Sequence, residues 1–79
     1  MTIETIIDMI AAEIKRAEML HPGWPSDPIH GAAIVAEEAG ELVQASIDVV
    51  YSNGDECRMI EESIHTAATA IRLLLNLKN

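Results

Sequence analysis

Residues 32–45, AAIVAEEAGELVQA, place three carboxylates inside a run of small, apolar, helix-favouring side chains. As a helix, with about 100° per residue, the run puts Glu37, Glu38 and Glu41 at about 0°, 100° and 40°, on one face. The i,i+3 and i,i+4 pairs then have Cβ atoms about 5–6 Å apart, and like charges at that spacing repel by roughly 0.2–0.5 kcal/mol per pair. Partial burial raises the cost. Such a face either calls for a cation or is an ordinary solvated acidic surface. The crowding of Ile34, Val35, Ala39 and Leu42 around it argues for the cation.

Outward from this run, the chain predicts three helices. Thr2 can cap the first, and Ile3, Ile6, Ile7, Ile10 and Ile14 then recur at 3-4 spacing to about Leu20. HPGWPSDP, residues 21–28, holds three prolines and a glycine and reads as a rigid loop. Ser26 or Asp27 can cap the second helix, with Pro28 in its first turn, where a missing N–H is tolerated. This helix runs to about Tyr51 or Ser52. Asn53-Gly54 suits a left-handed helix end, and Asp55 can cap a third helix over roughly 56–77. With no repeat or composition break, residues 1–79 form a single all-α domain.

Composition narrows the function. The 79 residues carry 13 acidic and 5 basic side chains, a formal charge of −8, which argues against a nucleic-acid polymer as partner. A single nucleotide delivered with a metal ion remains compatible, because the ion reverses the local sign. The lone Cys57 provides no disulfide and suits a reducing compartment. No apolar run approaches the ~18 residues of a membrane span, and the N-terminus carries acids where a signal peptide needs bases. The expectation is a cytoplasmic protein with no membrane partner. Phe is absent, so the core must be built from Ile, Leu, Val, Met and Ala.

The third helix is apolar over much of its circumference, with Met59, Ile60, Ile64, Ala67, Ala68, Ile71, Leu74, Leu75 and Leu77. A helix of that kind is buried on more than one side. Three short helices in one chain are expected not to cover it, which predicts a homodimer or homotetramer with Ile64, Ile71 and Leu75 between chains. The same helix carries Glu62, His65, Thr69 and Arg72 as a polar stripe. Packed antiparallel to the second helix, it would bring Glu62 and His65 opposite Glu37, Glu38 and Glu41. Such an oxygen-rich, thiol-free site suits Mg²⁺ or Mn²⁺ better than structural zinc.

EEAGE at 37–41, with EESIH at 61–65 on the next long helix, resembles the EExxE…ExxD signature of MazG-like proteins. Those are all-α nucleoside triphosphate pyrophosphohydrolases, related to dimeric dUTPases. The resemblance spans about residues 21–77 and, through HPGWP, PIHGAAIVAEEAGELVQA and AIRLLLNL, is nearest to short phage or prophage members. It implies a helical bundle, completed by homo-oligomerisation, that holds Mg²⁺ (or Mn²⁺) and releases pyrophosphate from a nucleoside triphosphate in a house-cleaning role.

Residue by residue, the resemblance places Glu37, Glu38 and Glu41 in EExxE and Glu62 in the Glu of ExxD. It makes these the metal ligands, with Glu38 or Glu41 left to take a proton from the attacking water. His65 stands where the pattern has Asp. Either it is a ligand or phosphate contact, or it is a structural histidine. That departure carries the alternative function, a non-catalytic helical module binding nucleotide or a protein partner. The substrate-side candidates also keep two readings. Trp24 stacks on a base or packs the loop onto the bundle. His30 points into the cleft mouth or is a polar residue at the helix start. Arg72 and Lys78 neutralise phosphate or form surface pairs.

Overall fold

The computed structural model describes residues 1–77; Lys78, a sequence candidate for phosphate, lies outside them. The described residues form three α-helices and no strand: α1 (Ile3–Leu20), α2 (Pro28–Tyr51) and α3 (Glu56–Asn76). Each begins at an acceptor side chain that satisfies a free backbone N–H of the first turn. Thr2 Oγ1 accepts from Thr5 N at 3.1 Å. Asp27 accepts from Ile29 N at 2.9 Å, so Asp27 rather than Ser26 is the cap, with Pro28 directly after it. Asp55 accepts from Cys57 N at 2.9 Å.

The α2–α3 turn divides the expected left-handed end between two residues. Asn53 takes the positive φ, 53°, while Gly54 does not. Gly54 is there for closeness: a Cβ on it would meet the Asp48 carbonyl carbon at 2.8 Å. α3 ends at Asn76, one residue before the predicted limit, with Leu77 extended.

α3 is the central element. It packs on both α2 and α1, whereas α1 and α2 do not pack on one another among the described residues. α2 and α3 run antiparallel, since Gly31 meets Leu73 at one end and Asp48 pairs with Arg58 at 2.9 Å at the other. α1 runs alongside α3 in the same direction, with Ile6 beside Met59 and Ile64, then Glu13 beside His65.

This arrangement covers α3 on two sides from within the chain, so Ile64 and Ile71 are half-buried, while Leu75 is 65% exposed. The core is thin. Ala45 and Ala68 are its fully buried apolar residues, and no large side chain among the described residues is fully enclosed. Among the described residues, no helix is long and apolar enough to cross a membrane.

Candidate functional site

Because α1 and α2 both lean on α3 without meeting, they leave a cleft of about 380 Å³ with α3 as its floor. Its walls are Glu13 and Arg16 of α1, Trp24 of the loop, Ile34 and Glu38 of α2, and His65, Thr69 and Arg72 of α3. Acidic groups gather toward one end, and the guanidinium of Arg72 lies with Trp24 at the other.

At the acidic end, a carboxylate oxygen from Glu38, one from Glu62 and a ring nitrogen of His65 lie within 4.8 Å of one another. Among the described residues, Glu38 Oε2 and Glu62 Oε2 are buried and accept no hydrogen bond. A buried carboxylate oxygen without a donor is unfavourable. Burial pushes the Glu38 carboxyl above its ordinary value, and the neighbouring Glu41 charge adds to the shift. Burial likewise raises Glu62, and the neighbouring Glu41 carboxyl adds to the shift. His65 works against both shifts. Its Nδ1 lies 3.8 Å from Glu62 and its Nε2 lies 3.7 Å from Glu13.

The donor set fits a divalent cation. Two carboxylate oxygens and one imidazole nitrogen suit Mn²⁺ and are compatible with Mg²⁺. The helices therefore bring together Glu38, Glu62 and His65 of the sequence-derived ligand set, with Glu41 beside them. Glu37 is exposed and outside this group. The projection that put all three glutamates on one face spans about 100°, and α3 meets only the Glu38 side of it.

The substrate-side candidates separate in the same way. Trp24 and Arg72 line the cleft, whereas His30 is exposed and does not. Arg72 is 9% exposed, donates to the His21 carbonyl oxygen at 2.7 Å and lies 5.2 Å from the Trp24 ring centroid. It is buried and so not a surface pair, and its guanidinium holds the loop and the indole against α3. Its Nε has no acceptor among the described residues.

Sequence reasoning missed Glu13 and Arg16. Arg16 donates twice to Glu13, at 2.7 Å each, which holds the Glu13 carboxyl below its ordinary range. An i,i+3 Glu–Arg pair is common on exposed helices. Only the approach of α1 to His65 turns this one into a cleft wall.

Set against protein-family models, curated proteins and solved structures, the chain matches none.

Proposed function

We propose that this chain is a divalent-cation-dependent nucleoside triphosphate pyrophosphohydrolase of the MazG-like type, producing nucleoside monophosphate and pyrophosphate. One observation carries the reading. Two buried carboxylate oxygens without donors, from Glu38 and Glu62, converge with His65 at the end of a cleft. Glu38, Glu62 and His65 would hold Mg²⁺ or Mn²⁺, with Glu41 adjoining. Bound there, the ion supplies charge neutralisation at the phosphates and a more acidic water.

The other roles belong to the chain itself. Glu41 stays exposed beside Glu62 and accepts a proton from water; Glu38 serves in that role where it is not engaged as a ligand. Trp24, braced by Arg72, offers an aromatic wall of a size suited to a base. Arg16, half-exposed in the wall of the same cleft and paired with Glu13, supplies a cation for a phosphate.

His65 in place of the family's Asp favours a second reading, a module that binds nucleotide without hydrolysing it. A panel of ribo- and deoxyribonucleoside triphosphates with Mg²⁺ and with Mn²⁺, scored for pyrophosphate release, tests the first reading. Cation and nucleotide binding without release on any substrate would leave the second.

A further inference from the structure

His65 stands between carboxylates from two different helices. Its Nδ1 lies 3.8 Å from Glu62 Oε2, and its Nε2 lies 3.7 Å from Glu13 Oε2. Glu62 converges with Glu38 on the candidate cation position, whereas Glu13 stands outside that group. The two ring nitrogens therefore face different surroundings: Nδ1 the ligand group, Nε2 a carboxylate delivered by α1. A neutral imidazole carries one N–H, so a ring that offers the Nδ1 lone pair to a cation holds its proton on Nε2. That proton needs an acceptor, which for a metal-bound histidine is ordinarily a carboxylate, a carbonyl or a water.

Glu13 occupies a position that by itself does not favour it. Ile6, Ile10, Glu13 and Ala17 form the half-buried side of α1, while Glu4, Asp8 and Glu18 are exposed. A carboxylate on the side of a helix that packs against a neighbour is disfavoured relative to an apolar side chain. Arg16 offsets part of that cost. Its Nε and Nη2 donate to the two oxygens of Glu13 at 2.7 Å each, which fixes the plane of the carboxylate. The pair is asymmetric, however: the Glu13 side chain is 14% exposed and that of Arg16 is 55%. The guanidinium faces outward and the carboxylate faces His65.

We propose that Glu13 is a positioning residue, accepting the Nε2–H of His65 and so presenting Nδ1 to the cation. Glu13 Oε2 keeps a lone pair beyond the one that Arg16 uses. At 3.7 Å the contact is longer than a hydrogen bond, and it closes as the ring tilts into place as a ligand. The MazG-like resemblance begins near residue 21, so its pattern has no counterpart for a residue of α1. In this chain the carboxylate absent from position 65 is returned from behind the imidazole. The inference rests on the cation site proposed above, and it is independent of whether nucleotide is hydrolysed.

Calorimetric titration of the full chain with Mn²⁺ and with Mg²⁺, without nucleotide, tests it. Glu13→Ala should weaken Mn²⁺ binding about tenfold, the lower end of the scale for groups that support a metal ligand. Mg²⁺ should lose less, because a nitrogen ligand matters more to Mn²⁺. The negative charge lost with Glu13 acts alike on any ligand set, whereas the orientation of an imidazole matters only where an imidazole is present. In a His65→Asp background, Glu13→Ala should therefore weaken either ion by no more than about threefold. Glu13→Gln keeps an acceptor oxygen and should recover part of the loss. If circular dichroism shows Glu13→Ala unfolded, Glu13→Gln carries the comparison, with a larger loss beside His65 than in the His65→Asp background. Mn²⁺ binding in Glu13→Ala as tight as in the parent chain overturns the proposal and leaves the cation site standing. So does an equal loss in the two backgrounds, which would reduce Glu13 to a nearby charge. A parent chain that binds neither ion overturns the proposal and the cation site together.

Discussion

Arg72 Nη2 donates to the His21 carbonyl oxygen at 2.7 Å while the guanidinium lies 5.2 Å from the Trp24 ring centroid. One side chain of α3 thus fixes both the end of α1 and the indole that walls the cleft. A hydrogen bond to a charged donor contributes about 1.5–3 kcal/mol, and a partly desolvated cation–π contact about 0.5–2 kcal/mol. Arg72→Ala should therefore destabilise the fold by about 3 kcal/mol, measured by urea unfolding. The emission of Trp24, the chain's single tryptophan, should move to longer wavelength. Arg72→Lys, lacking the planar fork, should recover less than half of that loss. An unchanged emission spectrum in Arg72→Ala would show that the indole is held by something else.

Gly31 sits where α2 meets Leu73 of α3 and the Trp24 indole. A Cβ there would lie 3.0 Å from Leu73 Cδ1 and 3.2 Å from Trp24 Nε1. Both neighbours are packed side chains, so Gly31→Ala should force them aside at about 1–2 kcal/mol despite its better helix propensity. Thermal melting checks the sign. A melting point above that of the parent chain would mean that Leu73 yields freely.

The three helices were legible because their signals are local. Thr2, Asp27 and Asp55 each act within two or three residues of themselves, and the apolar spacing of the helices needs no tertiary knowledge. The Glu38–Glu62–His65 grouping was legible as well, since antiparallel packing across a short turn pairs residues symmetrically about it. What the sequence hid depends on α1. Its approach to α3 brings Glu13 beside His65, and nothing in the spacing of IAAEIKRAE announces that contact. The exposure of Glu37 and His30 was hidden for a related reason. A helical projection gives a direction, and only the position of the neighbouring helix says how wide the cleft is.

Proton linkage at the cleft has a definite sign. Glu38 and Glu62 are raised above 4.5, so the fold favours their protonated forms. Their contribution to stability is full below the unfolded value of 4.5 and is lost as pH rises through the raised folded values. Glu13 is lowered, so its contribution is present above 4.5 and is lost as pH falls through its folded value. The metal-free chain should accordingly melt higher as pH falls from neutrality toward 4.5, then lower below it. Glu62→Gln should flatten the upper limb and leave the lower one.

Metal addition should invert the upper limb. A cation that binds the folded chain alone raises its melting point by mass action, and it needs Glu38 and Glu62 ionised. Millimolar Mn²⁺ at neutral pH should raise the melting point by several degrees, Mg²⁺ by less. Glu38→Gln should abolish the shift yet stabilise the metal-free chain by about 1 kcal/mol, because a buried charge without a donor is gone. Glu37→Gln, at an exposed position outside the group, should change neither quantity. Equal shifts in the parent chain and in Glu38→Gln would place the ion elsewhere.

His65 separates the hydrolase from the binding module. It faces Glu62 at 3.8 Å and Glu13 at 3.7 Å, at the position where the MazG-like pattern has a carboxylate. With imidazole there, the ligand set holds one negative charge fewer, and nitrogen gains more from Mn²⁺ than from Mg²⁺. His65→Asp restores the carboxylate and should tighten Mg²⁺ about 10–100-fold, the scale on which groups around a metal alter its affinity. If the chain is a hydrolase, Mg²⁺-dependent pyrophosphate release should rise with that affinity, and the preference for Mn²⁺ should shrink. The new carboxylate also crowds Glu13, Glu38 and Glu62, so His65→Asp without metal should melt lower than the parent chain and recover when Mg²⁺ is added. Calorimetry and melting then report on the site even where turnover is absent. Tighter Mg²⁺ binding with no pyrophosphate released from any nucleotide, in the parent chain or in His65→Asp, would reject the hydrolase and leave a cation-dependent nucleotide-binding module.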